Sequence, residues 1–408
     1  MSIEYRHARV EEIPAVIRAQ SLGFGDTTAQ EQLDQWTQTT LIRPEWRLCA
    51  FDGAEPASQV VVVPVVMNWN GKAIDASGVT DVFTLPTHRR RGLLRELMTR
   101  AYAQMHEAGQ CVAILEASFA AIYQRFGWAV VYTGLIHDFD PRHLRFVDEI
   151  PASGVVRLVR REEARALIEP AYRRFSEART LTMQRGDFEW SRGLRLANPT
   201  ATPVLVAVYE EAGEVLGYAV YGVANRPDAQ PSDPGQRLTV HEWVWLTPAA
   251  HRGLVKYLAG HDLVDSVRMY SVPPDDPLWY QVEEPRALKT RVSDGALARI
   301  VDVEAALAGR GYDGSGRLVL AVEDEYAPWN SGVWELEADG GGGTVRRSTA
   351  EPQLRLTPRV LAILISGYQP ATTLARAGLI HCAEPSALAT ADGLFRTARV
   401  PVCLDHWM

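Results

Sequence analysis

The sequence predicts an α/β (α+β) protein in which mixed twisted sheets are flanked by helices. Three observations lead to this prediction. Helix and strand patterns alternate through the first 150 residues, a proline-to-glycine segment of that region recurs from Pro248, and the character of the chain changes near residue 291. We therefore expect two copies of one module followed by a different domain, with boundaries at 1–150, 151–290 and 291–408.

In the first module, two helices come before a group of strands. The helices are predicted over 10–20 and 30–39, where apolar residues recur at helical spacing. Strands follow over 47–51, 59–68 and 72–84, and Asn70-Gly71 is a typical hairpin turn between the last two. A helix from Leu93 to Gly109, a strand at 111–117, a short helix at 119–126 and a strand at 128–133 complete the module.

The middle segment repeats this order in a shorter form. A helix is predicted over 161–175, strands over 204–209, 217–223 and 238–246, and a helix from Pro248 through His261. Pro86 and Gly92 are six positions apart in the first module, whereas Pro248 and Gly253 are five apart in the second. We interpret this difference as a duplicated module whose second copy has a shortened loop.

The last segment has the pattern of a separate α+β domain. Strands are predicted over 316–322 and 332–336, with a glycine-rich hairpin tip at 340–343, and helices over 358–367 and 370–377. The chain ends in Cys-Leu-Asp-His-Trp-Met. This ending is too apolar for a frayed tail, so we expect the terminus to be buried.

Composition excludes several classes of protein. The 408 residues include 42 basic and 50 acidic side chains, a net charge of −8, which argues against a general nucleic-acid binder. No apolar run approaches the ~18 residues of a membrane span. The first 20 residues lack the apolar core of a secretory signal, so a cytoplasmic location is expected. The four cysteines are far apart and predict neither a disulfide framework nor a metal site.

The segment from Asp81 to Arg95 has the pattern of an anion-binding loop. It reads as a strand, a proline, three arginines, a glycine and the start of an amphipathic helix. Backbone N–H groups at a helix N-terminus attract phosphate, and arginine side chains add donors that suit phosphate oxygens. Gly92 would let a phosphate approach the backbone closely.

This loop resembles the acyl-CoA pyrophosphate loop of the GNAT N-acetyltransferase superfamily, Gln/Arg-x-x-Gly-x-Gly/Ala, with Leu94 in the place of the final small residue. More narrowly, the string from Pro86 to Leu94 resembles the Eis family, and this similarity extends over the whole chain. It implies tandem GNAT folds, a sterol-carrier-protein-like C-terminal domain, acetyl-CoA as co-substrate, no metal and a hexamer. Because the shorter loop at His251-Arg252-Gly253 has lost part of the arginine cluster, we predict that the second copy binds no CoA.

The resemblance assigns the CoA contacts and the acid and base of a direct acetyl transfer. Pantetheine would pair with the backbone of Val82, Phe83 and Thr84, and the pyrophosphate site would comprise Arg89, Arg90, Arg91, Gly92, Leu93, Leu94 and Arg95. Tyr123 falls where the family has its general acid, a phenol that is neutral at pH 7. The general base would be the C-terminal carboxylate, here that of Met408. Met408 and Trp407 depart from the aromatic last residue frequent in the family, and His406 is an alternative base.

Phe24, Asp26 and Trp36 match the positions of the family's acceptor channel. A carboxylate beside aromatic walls suits a cationic amine, although the same residues also fit a helix cap and a core. The resemblance therefore implies N-acetylation of polycationic amines such as aminoglycosides. A lysine acetyltransferase acting on proteins or peptides and a non-catalytic acyl-CoA- or lipid-binding protein remain alternatives.

Overall fold

The computed structural model describes residues 3–26, 29–39, 43–177, 179–194, 204–227 and 234–405, with some side chains of 30–39 left out. These residues divide into two units by their contacts. The first unit comprises the described chain up to Val131, then Ala296–Thr397 and Asp405; the second comprises Tyr132–Gly295 and Ala398–Leu404. In the described part, no helix is both long enough and apolar enough to cross a membrane.

The N-terminal segment alternates strands and helices. Its strands are β1 (Ile3–His7), β2 (Arg47–Asp52), β3 (Glu55–Trp69), β4 (Lys72–Thr84), β5 (Val112–Leu115) and β6 (Ala129–Val130). Its helices are α1 (Ile13–Gly23), α2 (Gln30–Thr39), α3 (Leu93–Glu107) and α4 (Ala121–Gln124).

The middle segment begins at β7 (Thr133–Phe139) and repeats the alternation. Its further strands are β8 (Val155–Val159), β9 (Leu205–Glu211), β10 (Glu214–Asn225), β11 (Gln236–Trp245), β12 (Val264–Val272) and β13 (Arg291–Asp294). Its helices are α5 (Arg161–Glu177), α6 (Asp187–Gly193), α7 (Pro248–Ala259) and α8 (Leu278–Gln281).

The C-terminal segment contains β14 (Leu297–Ile300), β15 (Ser315–Val322), β16 (Gly332–Asp339), β17 (Gly343–Arg347), β18 (Leu354–Leu356) and β19 (His381–Cys382). Its helices are α9 (Val303–Gly309), α10 (Pro358–Ile365), α11 (Ala371–Arg376) and α12 (Pro385–Phe395). The strands β15 to β19 form a five-stranded sheet in the order β17-β16-β15-β18-β19. The predicted glycine-rich hairpin tip at 340–343 connects β16 to its antiparallel partner β17.

Two seven-stranded sheets form the centres of the two units, with the orders β1-β2-β3-β4-β5-β14-β6 and β13-β7-β12-β11-β10-β9-β8. Both contain a single parallel pair flanked by antiparallel strands, β4 with β5 in the first and β11 with β12 in the second. This shared order supports the predicted duplication. Strand β7, from the predicted first domain, belongs to the second sheet, and β14, from the predicted third, belongs to the first. The three domain boundaries themselves stay a prediction.

A buried ion pair joins β14, which lies between β5 and β6 in the first sheet, to the segment after β15. Arg299 on β14 is 0% exposed, and one of its terminal nitrogens lies 2.7 Å from both carboxylate oxygens of Asp324. Asp324 also accepts hydrogen bonds from the backbone N–H of Ala327 and the side chain of Asn330. The charge on each partner is therefore compensated, as a buried charge requires.

Replacing Asp324 by asparagine is expected to lower the free energy of unfolding by about 3–5 kcal/mol, because it leaves the Arg299 charge buried without a partner. Chemical denaturation measures the change. As a control, Glu351→Gln removes the partner of Arg355 from an exposed ion pair and should have little effect. Equal stability of the two variants would contradict this role of the buried pair.

Candidate active site

Strand β4 presents an open backbone edge where pantetheine contacts are predicted. Its parallel pairing with β5 joins only Ala76–Gly78 to Val112–Ile114, whereas its pairing with β3 continues to Thr84. The register with β3 shifts near Asp81, whose φ of 49° marks an extra residue in β4. Because β4 and β5 are not paired beyond Gly78 in the described chain, one edge of residues 79–84 is open to a ligand.

The three predicted contact residues on this edge differ in exposure. Phe83 is buried, and Val82 and Thr84 are half-buried. The hydroxyl of Ser58 donates to the carbonyl of Phe83 at 2.8 Å, which fixes the end of β4 against β3. The last residue of α1, Gly23, lies so close that an added Cβ would be 2.9 Å from the Cβ of Phe83. This contact brings the end of α1 to the open edge of β4.

The backbone after β4 has the shape of an anion-binding loop. A 3-10 turn at Pro86–His88 is followed by Arg90 and Gly92, which have φ angles of 64° and 80°. Gly92 is the N-cap of α3, a 15-residue helix, and no side chain caps this helix. The first N–H groups of α3 therefore remain available to an anion, with the positive end of the helix dipole behind them.

Two of the loop arginines stabilise the loop conformation through contacts with other protein groups. Arg89 donates from Nε to the carbonyl of Thr84 at 3.2 Å and from Nη2 to the carbonyl of Gly23 at 3.1 Å. Arg91 lies 3.6 Å from the carboxylate of Asp52, which also contacts the ring of His88 at 3.2 Å. The hydrogen bond with His88 and the charge of Arg91 lower the pKa of Asp52.

The other two arginines are free for a ligand. Arg90 and Arg95 are exposed, and neither has an ion-pair partner among the residues that the structure describes. Sequence reasoning treated the four arginines as equivalent and missed the anchors Asp52 and His88. An acidic residue at the end of β2 gives no sequence signal for a contact with a loop more than 30 residues away.

Tyr123 on α4 lies in the same apolar cluster as Val82, Leu93 and Leu94. The tyrosine is 9% exposed, and burial raises its pKa to about 12. Its ring meets the edge of Trp128 at a centroid distance of 6.2 Å. Its hydroxyl has no hydrogen-bond partner in the described chain. The cluster thus brings together a neutral phenol, the β4 edge and the start of α3.

Leu94, which departs from the family pattern, is half-buried against this cluster, and Leu93 is buried within it. Both leucines therefore pack the first turn of α3 onto the sheet through their side chains. Only their backbone N–H groups belong to the anion-binding surface, so a larger residue at position 94 is compatible with the loop.

The structure describes only some of the predicted acceptor and base residues. Phe24 is 57% exposed and Asp26 is exposed, and both follow the end of α1 that contacts Phe83. Trp36 lies on α2, but its side chain is outside the described structure. Met408, Trp407 and His406 also lie outside the described residues.

The corresponding loop of the second unit has lost its anion-binding geometry. Helix α7 begins at Pro248, directly after the N-cap Thr247, whose side chain accepts a hydrogen bond from the N–H of Ala250 at 3.1 Å. Arg252 is 2% exposed, lies over the ring of Phe146 and donates to the carbonyl of Asp148 at 2.7 Å. The shortened loop therefore places its arginine inside the fold.

The donor set of the first unit suits acetyl-CoA: an open strand edge, uncapped N–H groups and two free arginines. Among the described side chains, no group of three or more His, Cys, Asp or Glu is arranged to hold a metal ion.

Comparisons with known proteins show which domain families the chain matches. Residues 4–131 and 181–300 each match an acetyltransferase (GNAT) domain, and residues 303–404 match a sterol carrier protein domain. An uncharacterized N-acetyltransferase of Streptomyces avermitilis is 32% identical over 92% of each chain, and the N-acetyltransferase Eis of Mycobacterium tuberculosis is 30% identical over 96% of each. The crystal structure of Eis1 from Mycobacterium abscessus gives a TM-score of 0.81 at 26% identity over 99% of each chain.

The predicted fold class, with tandem GNAT folds and a sterol-carrier-like domain, is confirmed by these matches. GNAT domains are acyltransferase domains that use acetyl-CoA. The chain belongs to the Eis family of GNAT N-acetyltransferases.

Proposed function

We propose that this acetyltransferase transfers the acetyl group of acetyl-CoA directly to an amine of a polycationic small molecule, such as an aminoglycoside. The single observation that carries the proposal is the buried, unpartnered phenol of Tyr123 in one apolar cluster with the open β4 edge and the start of α3. Family membership supports the reaction class, and the acidic net charge of −8 favours a cationic acceptor.

Acetyl-CoA supplies the acetyl group as a thioester. The backbone N–H and C=O groups of Val82, Phe83 and Thr84 form hydrogen bonds with the pantetheine amides, in the way that a strand edge pairs with an added strand. Arg90, Arg95 and the first N–H groups of α3 bind the pyrophosphate, while Arg89 and Arg91 keep the loop in shape. This division of roles follows from which arginines have protein partners.

Tyr123 acts as the general acid. With its pKa raised to about 12, the phenol retains its proton throughout the physiological pH range. It donates this proton to the departing thiolate sulfur, and the raised pKa keeps the phenol protonated until the thiolate forms.

The carboxylate of Met408 acts as the general base, as the family resemblance implies, and takes a proton from the acceptor amine. His406 is the alternative base. Asp26 attracts the cationic acceptor, and Phe24 and Trp36 form apolar walls beside it. The same resemblance leads us to propose a homohexamer in the cytoplasm, where acetyl-CoA is available.

A panel of acceptors tests the proposal. Thiol release from acetyl-CoA is expected with aminoglycosides and other multi-amine cations, because the net negative charge of the chain favours them, and not in the absence of acceptor. Product mass counts the acetylated amines. Turnover with basic peptides alone would favour a protein acetyltransferase. Measurable CoA binding without turnover on any acceptor would favour a non-catalytic acyl-CoA-binding protein.

Loss of either proton-transfer group is expected to reduce kcat by about 100-fold or more while the Kd for CoA stays unchanged. Tyr123→Phe removes the acid, and deletion of residues 406–408 removes the base. Steady-state kinetics and calorimetric CoA titration separate the two quantities.

The matched control for the acid is Tyr326→Phe, which removes a hydroxyl from the rim of the same apolar cluster. This variant should keep full turnover. Full activity of Tyr123→Phe would refute the acid assignment, and full activity of the truncated chain would place the base elsewhere.

Replacing both free arginines, in the variant Arg90→Gln/Arg95→Gln, is expected to raise KM for acetyl-CoA by about tenfold or more with little change in kcat. Each lost contact is a hydrogen bond to a charged phosphate. Arg100→Gln is the control, because Arg100 lies on the same helix but pairs with Glu96 on the surface. An unchanged KM in the double variant would contradict the pyrophosphate assignment.

A further inference from the structure

The second unit contains a polar pocket that the acetyl-transfer reaction does not use. The pocket has a volume of about 510 Å³, which is within the range of small-molecule sites. Residues of β7, β11, β12 and β13 line it, together with Arg226 after β10 and Lys289 before β13. It is a feature of the second sheet alone, and the buried Arg252 of the shortened loop is not among its lining residues.

Three carboxylates in the pocket already have arginine partners. Asp138 accepts a hydrogen bond from Arg268 Nε at 2.9 Å, and Asp265 lies 3.4 Å from Arg226 Nε. The third carboxylate, that of Asp140, accepts hydrogen bonds from the side chain of the adjacent Arg142. These pairs cancel the negative charge of the pocket wall, so the carboxylates do not repel an anion there.

Three further cations in the pocket lack a carboxylate partner among the described residues: Arg237, Lys289 and Arg291. Arg237 donates only to the hydroxyl of Ser266, at 3.2 Å, which orients its guanidinium across the neighbouring strand. The other two side chains are exposed and approach from the β13 side. Within the described part of the pocket, three positive charges therefore have no carboxylate partner, in a chain whose net charge is −8.

We propose that this pocket is a second ligand site, which binds a small polyanion bearing phosphate groups. Guanidinium groups match phosphate oxygens in geometry, and an ammonium group adds a mobile point charge. Arg237 lies on β11, whereas Lys289 and Arg291 lie before and on β13. Three cations in these places suit a ligand with several negative charges better than a ligand with a single carboxylate. Concave walls strengthen the field of these cations on a bound anion. The site is separate from the CoA loop and does not depend on the proposed acceptor.

Calorimetric titration with inorganic tripolyphosphate tests the site in the full chain, with CoA at saturating concentration so that the pyrophosphate loop is occupied. We expect saturable binding that weakens as ionic strength rises. The variant Arg237→Gln/Arg291→Gln is expected to lose about tenfold or more in affinity, because two charged contacts are removed. Acetyl transfer and thermal unfolding of this variant should match the parent protein.

Two controls separate the pocket from other sources of binding. Arg286→Gln removes a positive charge from the same unit outside the pocket and should keep tripolyphosphate affinity. Arg90→Gln/Arg95→Gln should also keep it. No saturable binding to the parent protein would overturn the proposal. An equal loss in the Arg286 variant, or unchanged affinity in the Arg237/Arg291 variant, would also overturn it.

Discussion

The buried pairing of Arg299 with Asp324 is the interaction on which the packing of the first unit depends. Arg299 lies on β14, between β5 and β6, and its guanidinium also lies over the ring of Tyr102 on α3 at 4.8 Å. The hydroxyl of Tyr102 donates to the carbonyl of Phe126, just after α4. An added Cβ on Gly127 would come within 2.9 Å of Arg299 Nε, so only glycine fits beside it. Arg299, which comes from the C-terminal part of the chain, therefore packs against both α3 and the segment that follows α4.

The two copies of the module differ in the backbone N–H groups and arginines that their loops expose. In the first copy, the longer loop leaves the N-terminus of α3 uncapped and its arginines outside the core. In the second copy, a proline begins α7 at once, and the side chain of Thr247 satisfies an N–H that an anion would need. Arg252 then falls on an inward face of α7 and becomes a packing residue. The same residue type is therefore exposed beside a helix N-terminus in one copy and buried in the core of the other.

Charge is distributed unevenly over this acidic chain. Among the described arginines that lack a carboxylate partner, two pairs lie at candidate anion sites: Arg90 and Arg95 at the loop before α3, and Arg237 and Arg291 in the pocket of the second unit. Other arginines are satisfied within the fold, as Arg310 is by five backbone carbonyls of its own unit. An unpaired arginine therefore indicates an anion site only where it lies beside other donors, such as a helix N-terminus or the cations of a pocket.

Local sequence determined the elements and the anion loop. The apolar spacing of α3, the Asn70-Gly71 turn and the Pro-to-Gly segments all act over a few residues, so each could be read without knowing the fold. The tertiary structure alone decided that β14 enters the first sheet, that Arg89 and Arg91 are anchors, and that Asp52 orients the loop through His88. These are contacts between residues distant in the chain. Their partners are selected by packing and by the need to compensate buried charge, and neither leaves a periodic signal in the sequence.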